Sequence, residues 1–200
     1  MEVVAMILGF KQKFPWGEPT WFKNRILLCA KKPYEVYIDG VKTTITPGPL
    51  EGRGWDVFEG GKLVARLKPK LHTIREDKSA RWWAGRSIQM VYRGKHYSIA
   101  DHFNKDIPEL EKCVGVQEFQ ITFSDYAGGM KFCEVTIGDG WYWAGYVMPN
   151  GANLCSLDGD RKMIEQLAHN DGFKDSMEFF RWFNKDFSGK IIHFTNFKYE

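Results

Sequence analysis

No stretch of this chain approaches the roughly 20 consecutive apolar residues that a membrane-spanning helix needs. The short apolar start Val3 to Phe10 has neither a basic leader nor a small-residue cleavage site. A soluble, non-secreted protein with no membrane partner is expected. Cysteine is scarce, and Cys29, Cys113, Cys133 and Cys155 are scattered without a CxxC pair, which argues against a zinc knuckle or ribbon. Reduced, buried thiols and a cytoplasmic setting follow as expectations. His72, His96, His102, His169 and His193 show no metal-ligand spacing with Asp, Glu or Cys, so no metal and no cofactor is expected.

Acidic residues are nearly absent from residues 62 to 96, where ten Lys/Arg face only Glu76 and Asp77. That segment is net +8 in a chain whose total is +3, so the remainder is net acidic. Such asymmetry points to a local anion-binding surface rather than a generally basic protein, and phosphate backbones are the commonest anion read in this way. The alternative is an ordinary solvated face of Lys and Arg. Trp82, Trp83, Tyr92 and Tyr97 are interleaved with Arg81, Arg86, Arg93 and Lys95. Flat rings beside cations can stack bases, although the same rings also suit a core.

With 44% hydrophobic and 16% aromatic residues among 200, the chain can bury a substantial core. A single domain over residues 1 to 200, carrying one insertion, is expected. Val4 to Phe10 suits a buried strand, ended by the Phe14-Pro15-Trp16-Gly17 turn. Pro19 and Thr20 mark a short helix to about Leu28. Two hairpins follow, Tyr34 to Thr46 around Asp39-Gly40, and Trp55 to Phe58 with Leu63 to Leu67 around Gly60-Gly61. Pro47, Gly48, Pro49, Gly52 and Gly54 lie between them, so residues 30 to 67 read as an inserted β arm.

Strands resume at Leu71 to Arg75, Ile88 to Tyr92, Val114 to Phe123 and Phe132 to Ile137, with Asp139-Gly140 as a turn. The polar stretch 101 to 112 reads as a loop with a short helical turn. Asp158 or Asp160 caps a helix to about His169 with Met163, Ile164, Leu167 and Ala168 on one face. Asn170-Asp171-Gly172 breaks it. Ser176 caps a second helix whose Phe179, Phe180, Trp182 and Phe183 read as core, and Gly189 stops it. Lys190 to Tyr199 alternates as a closing strand. The sum is an α+β fold on a small, mostly antiparallel β-barrel with flanking helices and the inserted hairpin arm.

Several ordered motifs carry a resemblance. Met6-Ile-Leu-Gly-Phe-Lys-Gln-Lys-Phe14, Lys70-Leu-His-Thr-Ile-Arg75, Arg81-Trp-Trp-Ala-Gly85, Asn170-Asp-Gly-Phe173 and Gly189-Lys-Ile-Ile-His-Phe-Thr-Asn-Phe-Lys-Tyr199 together resemble the ASCH domain, a branch of the PUA-like β-barrel superfamily. The match reaches both ends of the chain and skips roughly residues 30 to 67. The resemblance implies a cleft beside the barrel for RNA or a nucleotide-like ligand. One bacterial branch of the family hydrolyses N(4)-acetylcytidine with a lysine and a threonine of the strand motif and a glutamate before the helix break. Lys70 and Thr73 match the first two, Asp171 stands at the glutamate position as a shorter acid, and Lys68 stands where the family usually has glycine.

The chemistry is testable on its own terms. A threonine hydroxyl becomes a nucleophile only if a base takes its proton, and lysine is that base only while uncharged. Burial and the nearby positive charges of Lys68 and Arg75 push lysine that way. Strand alternation puts Lys70 on one face with His72 and Ile74, and Thr73 with Arg75 on the other. Lys70 therefore joins Thr73 only through an irregular lead-in, which Pro69 favours. Asp171 has a competing role in the turn geometry of Asn-Asp-Gly, and His72 reads as a hydrogen-bonded core histidine. Arg75 either forks onto a phosphate or carboxylate, which is preferred, or pairs with Glu76 or Asp77.

Two functions follow from different classes. The preferred one is a binding module for RNA or a modified nucleoside, using Lys70, Thr73, Arg75, Lys78, Arg81, Trp82 and Arg86. The alternative is an amidohydrolase for an N(4)-acylated cytidine-type nucleoside, with Lys70 as base, Thr73 as nucleophile and Asp171 as acid or orienting group.

Overall fold

The structure is a computed structural model, and it describes residues 5–30, 34–38, 41–45, 55–59, 62–92, 102–105, 107–155 and 158–200. The first strand, β1 (Met6–Phe10), is the apolar run expected at the start; Leu8 and Phe10 are buried while Ile7 faces outward. The helix α1 (Phe22–Leu27) begins after Trp21, which sits in the left-handed region at φ 55° and supplies no side-chain cap. Thr20 does not cap it in the usual way either. Its hydroxyl donates to the carbonyl of Lys11 at 2.6 Å, which folds the 11–20 loop back onto the end of β1.

Strands β2 (Tyr34–Ile38) and β3 (Val41–Ile45) form one antiparallel hairpin of the expected arm, and β4 (Trp55–Glu59) and β5 (Lys62–Leu67) form the other. The expected turns at Asp39-Gly40 and Gly60-Gly61, and the Pro/Gly connection through Pro47, Gly48, Pro49, Gly52 and Gly54, lie outside the described residues. So do Arg93, Lys95, His96 and Tyr97.

The main sheet has six strands: β6 (His72–Arg75), β8 (Gly115–Asp125), β9 (Lys131–Ile137), β10 (Gly140–Val147), β11 (Asn153–Leu154) and β12 (Phe187–His193). They lie in the order β11-β10-β9-β8-β12-β6, and every pairing is antiparallel. The sheet curls as a half-barrel. Beside it, β1 pairs in parallel with β7 (Ile88–Tyr92). The Arg75 guanidinium links the two layers by donating to the carbonyl of Gly9 at 3.0 Å. The architecture is thus α+β with mostly antiparallel strands, and among the described residues no ladder closes the main sheet on the parallel pair.

Strand β10 is absent from the sequence reading, and its packing explains why. The register shifts between Trp141 and Trp143, so Tyr142 and Trp143 are both buried and the period-2 alternation is lost. Two boundaries also need correction. The helix α3 (Ser176–Trp182) is capped by Asp175, whose carboxylate accepts from the Glu178 amide at 2.8 Å; Ser176 instead meets Glu165 and Asn153. Gly189 does not stop that helix but lies inside β12, because the chain leaves helical geometry at Phe183. The closing strand accordingly ends at His193, earlier than alternation implied, and Phe194 and Tyr199 tuck into the core beyond it.

The remaining helix α2 (Asp158–Asn170) buries Ile164, Leu167 and Ala168, as its spacing requires. The Tyr142 hydroxyl donates to its Met163 carbonyl at 3.0 Å, fixing the helix to β10. Between α1, α2 and α3 lies an aromatic layer in which Phe14, Phe22, Phe173 and Phe179 meet at ring separations of 5.5 to 6.2 Å. The four cysteines are free, with Cys29, Cys113 and Cys133 buried. Among the described residues no helix is long and apolar enough to cross a membrane.

Candidate functional site

Lys70 and Leu71 precede β6 and lie outside its ladder, so the lead-in after Pro69 is irregular as expected. The Lys70 amide donates to the Arg25 carbonyl and the Leu71 amide to the Asn170 carbonyl, which turns the Lys70 side chain toward the α2 terminus. There its ammonium reaches Asp171 Oδ1 at 2.6 Å and also donates to the Asp171 carbonyl. The same carboxylate oxygen accepts the Ile74 amide at 3.1 Å. The Phe22 ring covers the ammonium, its centroid 4.6 Å from Nζ. Gly172 permits this approach: its φ is 88°, and a Cβ there would stand 2.9 Å from Lys70 Cδ.

Lys70 and Asp171 are therefore a buried ion pair, 1% and 4% exposed. Burial pulls the Lys70 ammonium down to about 8, with Asp171 resisting that shift. Burial also pushes the Asp171 carboxyl upward, but the charges of Lys70 and the His72 contact outweigh it and hold the group below its ordinary value. Both members are ionised at neutral pH. Thr73 does not join them. It is buried on β6 opposite Ile192, and among the described residues its hydroxyl makes no hydrogen bond with Lys70 or Asp171.

A chain of buried polar groups continues behind the pair. Asn170 donates to the Tyr199 hydroxyl at 3.1 Å, and that hydroxyl lies 2.7 Å from His72 Nε2. The other ring nitrogen of His72, Nδ1, lies 3.7 Å from Asp171 Oδ1. Gln117 is oriented by the Tyr199 backbone, and its oxygen accepts from His193 at 3.0 Å. Burial pulls His72 below its usual value against the opposing pull of Asp171, and pulls His193 to about 3 with help from His72 and Lys198. His72 is thus the hydrogen-bonded core histidine its sequence context suggests.

These depressed values make stability depend on pH. A histidine kept neutral when folded takes up its proton near pH 6.5 only when unfolded, so its contribution is complete above that point and falls as pH drops toward the folded value. Moving from pH 7 to 5.5 is expected to cost about 1 kcal/mol through His193. Urea midpoints at the two pH values check this; a midpoint unchanged or raised at pH 5.5 contradicts it.

Among the described residues the +8 segment does not form one surface. Arg66 is taken by Asp56 in a two-pronged contact at 2.6 and 2.8 Å, Lys68 meets His169, Lys70 is buried and Arg75 is turned to Gly9. Lys78, Arg81 and Arg86 remain together on the loop after β6. Asp77 builds that loop: its carboxylate accepts the Arg81 amide at 2.8 Å and the Trp82 amide at 3.1 Å, while Ala80 takes φ 48°. Lys190 of β12 lies 3.7 Å from the same carboxylate.

This loop corrects one assignment and supplies a missed residue. Trp82 is 5% exposed and belongs to the core, while Trp83 is 48% exposed. The Arg86 guanidinium lies 4.0 Å from the Trp83 ring centroid, and Arg86 donates to the Arg81 carbonyl at 2.6 Å. Extended spacing shows that adjacent tryptophans face opposite ways; it does not show which one the core takes. Lys78 is exposed and pairs with Glu76 at 2.9 Å. Arg75 also differs from the preferred assignment, since its planar fork lies over Phe10 and holds a backbone carbonyl.

Comparison of the chain with family models, with curated proteins and with solved structures finds no match. Among the described residues no group of three or more His, Cys, Asp or Glu is placed to hold a metal ion.

Proposed function

We propose that this protein recognises RNA or a modified nucleoside on the face built by the 77–86 loop. The observation that carries the reading is the exposed Trp83 indole with the Arg86 guanidinium over it and Arg81 alongside, 55% exposed. An indole offers every base a surface to stack on, and the two guanidinium groups supply the charge that phosphates require. The same proposal places the chain in the ASCH branch of the PUA-like superfamily, with β6 bearing the motif's threonine and the lead-in before it the lysine. The curled, mostly antiparallel sheet and flanking helices support that placement.

Hydrolysis is the weaker reading. It needs an uncharged Lys70 facing Thr73, whereas Asp171 keeps the lysine protonated and turned away. A substrate would also have to displace Phe22 to reach it. Lys70, Thr73 and Arg75 act in the binding reading as supports of β6, from which the loop departs.

Fluorescence anisotropy with a labelled single-stranded RNA tests the proposal. The double variant Arg81→Glu, Arg86→Glu is expected to bind at least about tenfold more weakly, with a salt slope reduced by about 1.4 for two phosphates released. Unchanged affinity and slope would remove this face. Release of acetate from N(4)-acetylcytidine that Thr73→Ala abolishes would replace recognition by hydrolysis.

A further inference from the structure

A second surface, sharing no residue with the 77–86 loop, has features of its own. Lys11, Pro15, Trp16, Arg181, Trp182 and Asn184 line an open groove of about 500 Å³. That volume falls within the range of small-molecule sites. Its lining has two cations, two indoles and no acid.

The groove is built on a firm base. Phe14, itself buried, stacks on one face of Trp16 with centroids 4.8 Å apart and planes 6° from parallel. It meets Trp182 edge-on at 5.9 Å and stacks below on Phe173. The loop that presents Trp16 is closed by bonds from the Phe14 amide to the Glu18 carbonyl and from the Gly17 amide to the Phe14 carbonyl. Gly17 takes φ 97° to make that turn. The indoles are therefore positioned before any ligand arrives.

The cations are held differently. The Arg181 guanidinium lies 4.2 Å from the centroid of Trp16, on the face that Phe14 leaves open, and the Lys11 ammonium lies 5.1 Å from that of Trp182. Both side chains are exposed, and among the described residues neither has a carboxylate partner. A solvent-exposed cation resting on a half-buried ring is weakly held, and a phosphate offers it a stronger, charge-assisted hydrogen bond. Movement of either cation to an anion uncovers an indole face for a flat ring.

We propose that this groove binds a 5′-phosphorylated nucleoside, the phosphate between Lys11 and Arg181 and the base against the indoles, with the Asn184 amide at the base edge. Arginine's planar fork suits two phosphate oxygens, and an amide can both donate to and accept from a base. A bare anion would use the cations alone and a bare nucleoside the indoles alone, so the groove discriminates by requiring both.

Calorimetric titration with uridine 5′-monophosphate, uridine and inorganic phosphate tests this, with tryptophan fluorescence as a second readout. The monophosphate is expected to bind and quench fluorescence, and uridine and phosphate to bind at least about tenfold more weakly. Arg181→Ala and Lys11→Ala, both at exposed positions, are expected to weaken it at least about fivefold while leaving the urea midpoint in place. Arg81→Glu with Arg86→Glu, which tests the other face, is expected to leave it unchanged. The proposal is overturned if the monophosphate does not bind at roughly 1 mM, if phosphate binds as tightly, or if Arg181→Ala has no effect. An RNA oligomer bound through these residues without monophosphate binding would also overturn it.

Discussion

Asp171→Asn is expected to lower the unfolding free energy by about 3–5 kcal/mol, a large part of what a domain of this size possesses. Asparagine keeps an acceptor for the Ile74 amide and nearly the same volume, so the loss isolates the charge. What remains is the Lys70 ammonium, 1% exposed and facing Phe22 without its carboxylate. Such a group either stays charged at a desolvation cost or gives up its proton, and burial has already pulled Lys70 to about 8 with Asp171 present. Urea unfolding at pH 7 measures the change. Lys70→Met in the same chain removes the stranded charge and is expected to restore most of the loss, since an apolar replacement for a buried pair is often neutral. A double variant as unstable as Asp171→Asn alone would show that the carboxylate acts through the Ile74 amide and the turn, and that the ion pair contributes little.

Gly189→Ala is the second substitution with a large expected effect. A Cβ at Gly189 would overlap the Arg75 carbonyl oxygen and stand 2.8 Å from its carbon, both backbone atoms of the neighbouring strand. Neither can rotate away. The register pairs Lys190 with Arg75 and Ile192 with Thr73, so relief requires β6 to shift away from β12. Overpacking of this kind typically costs about 1–3 kcal/mol, and contact with backbone on a short edge strand places it at the upper end. Hydrogen exchange adds a local readout: the Thr73 and Arg75 amides, which alternation directs toward β12, should lose protection before those of β8 and β9. Stability within about 0.5 kcal/mol of the parent, with protection unchanged, would refute the close approach.

Gly189 also shows how far local reading reaches. After a run of helix-forming aromatics a glycine signals a helix end, and nothing nearby contradicts that. The structure uses it for close contact between β12 and the Arg75 carbonyl, more than a hundred residues earlier in the chain. Strand β10 is the converse case, where the bulge between Trp141 and Trp143 removes the alternation by which strands are recognised. By contrast, β1, β6, β7, the hairpins of the arm and the buried face of α2 follow from periodicity and turn residues, because those signals act over a few residues.

For the candidate site the division falls in the same place. The sequence by itself favoured an irregular lead-in at Lys70, since proline cannot donate to a ladder and Pro69 stands just before it, and the structure places Lys70 outside β6. The sequence also determined that Thr73 and Arg75 share a face, that His72 turns inward, and that basic residues are concentrated between residues 62 and 96. Only the tertiary structure decided that Asp171 claims Lys70 and leaves Thr73 aside, that Trp83 rather than Trp82 is offered to solvent, and that Arg66, Lys68, Lys70 and Arg75 go to separate partners. The indoles of Trp16 and Trp182 meet on the same terms, through Phe14. Alternation and turn chemistry are properties of neighbouring residues, whereas an ion pair or a shared groove depends on which distant segments the core brings within a few ångströms.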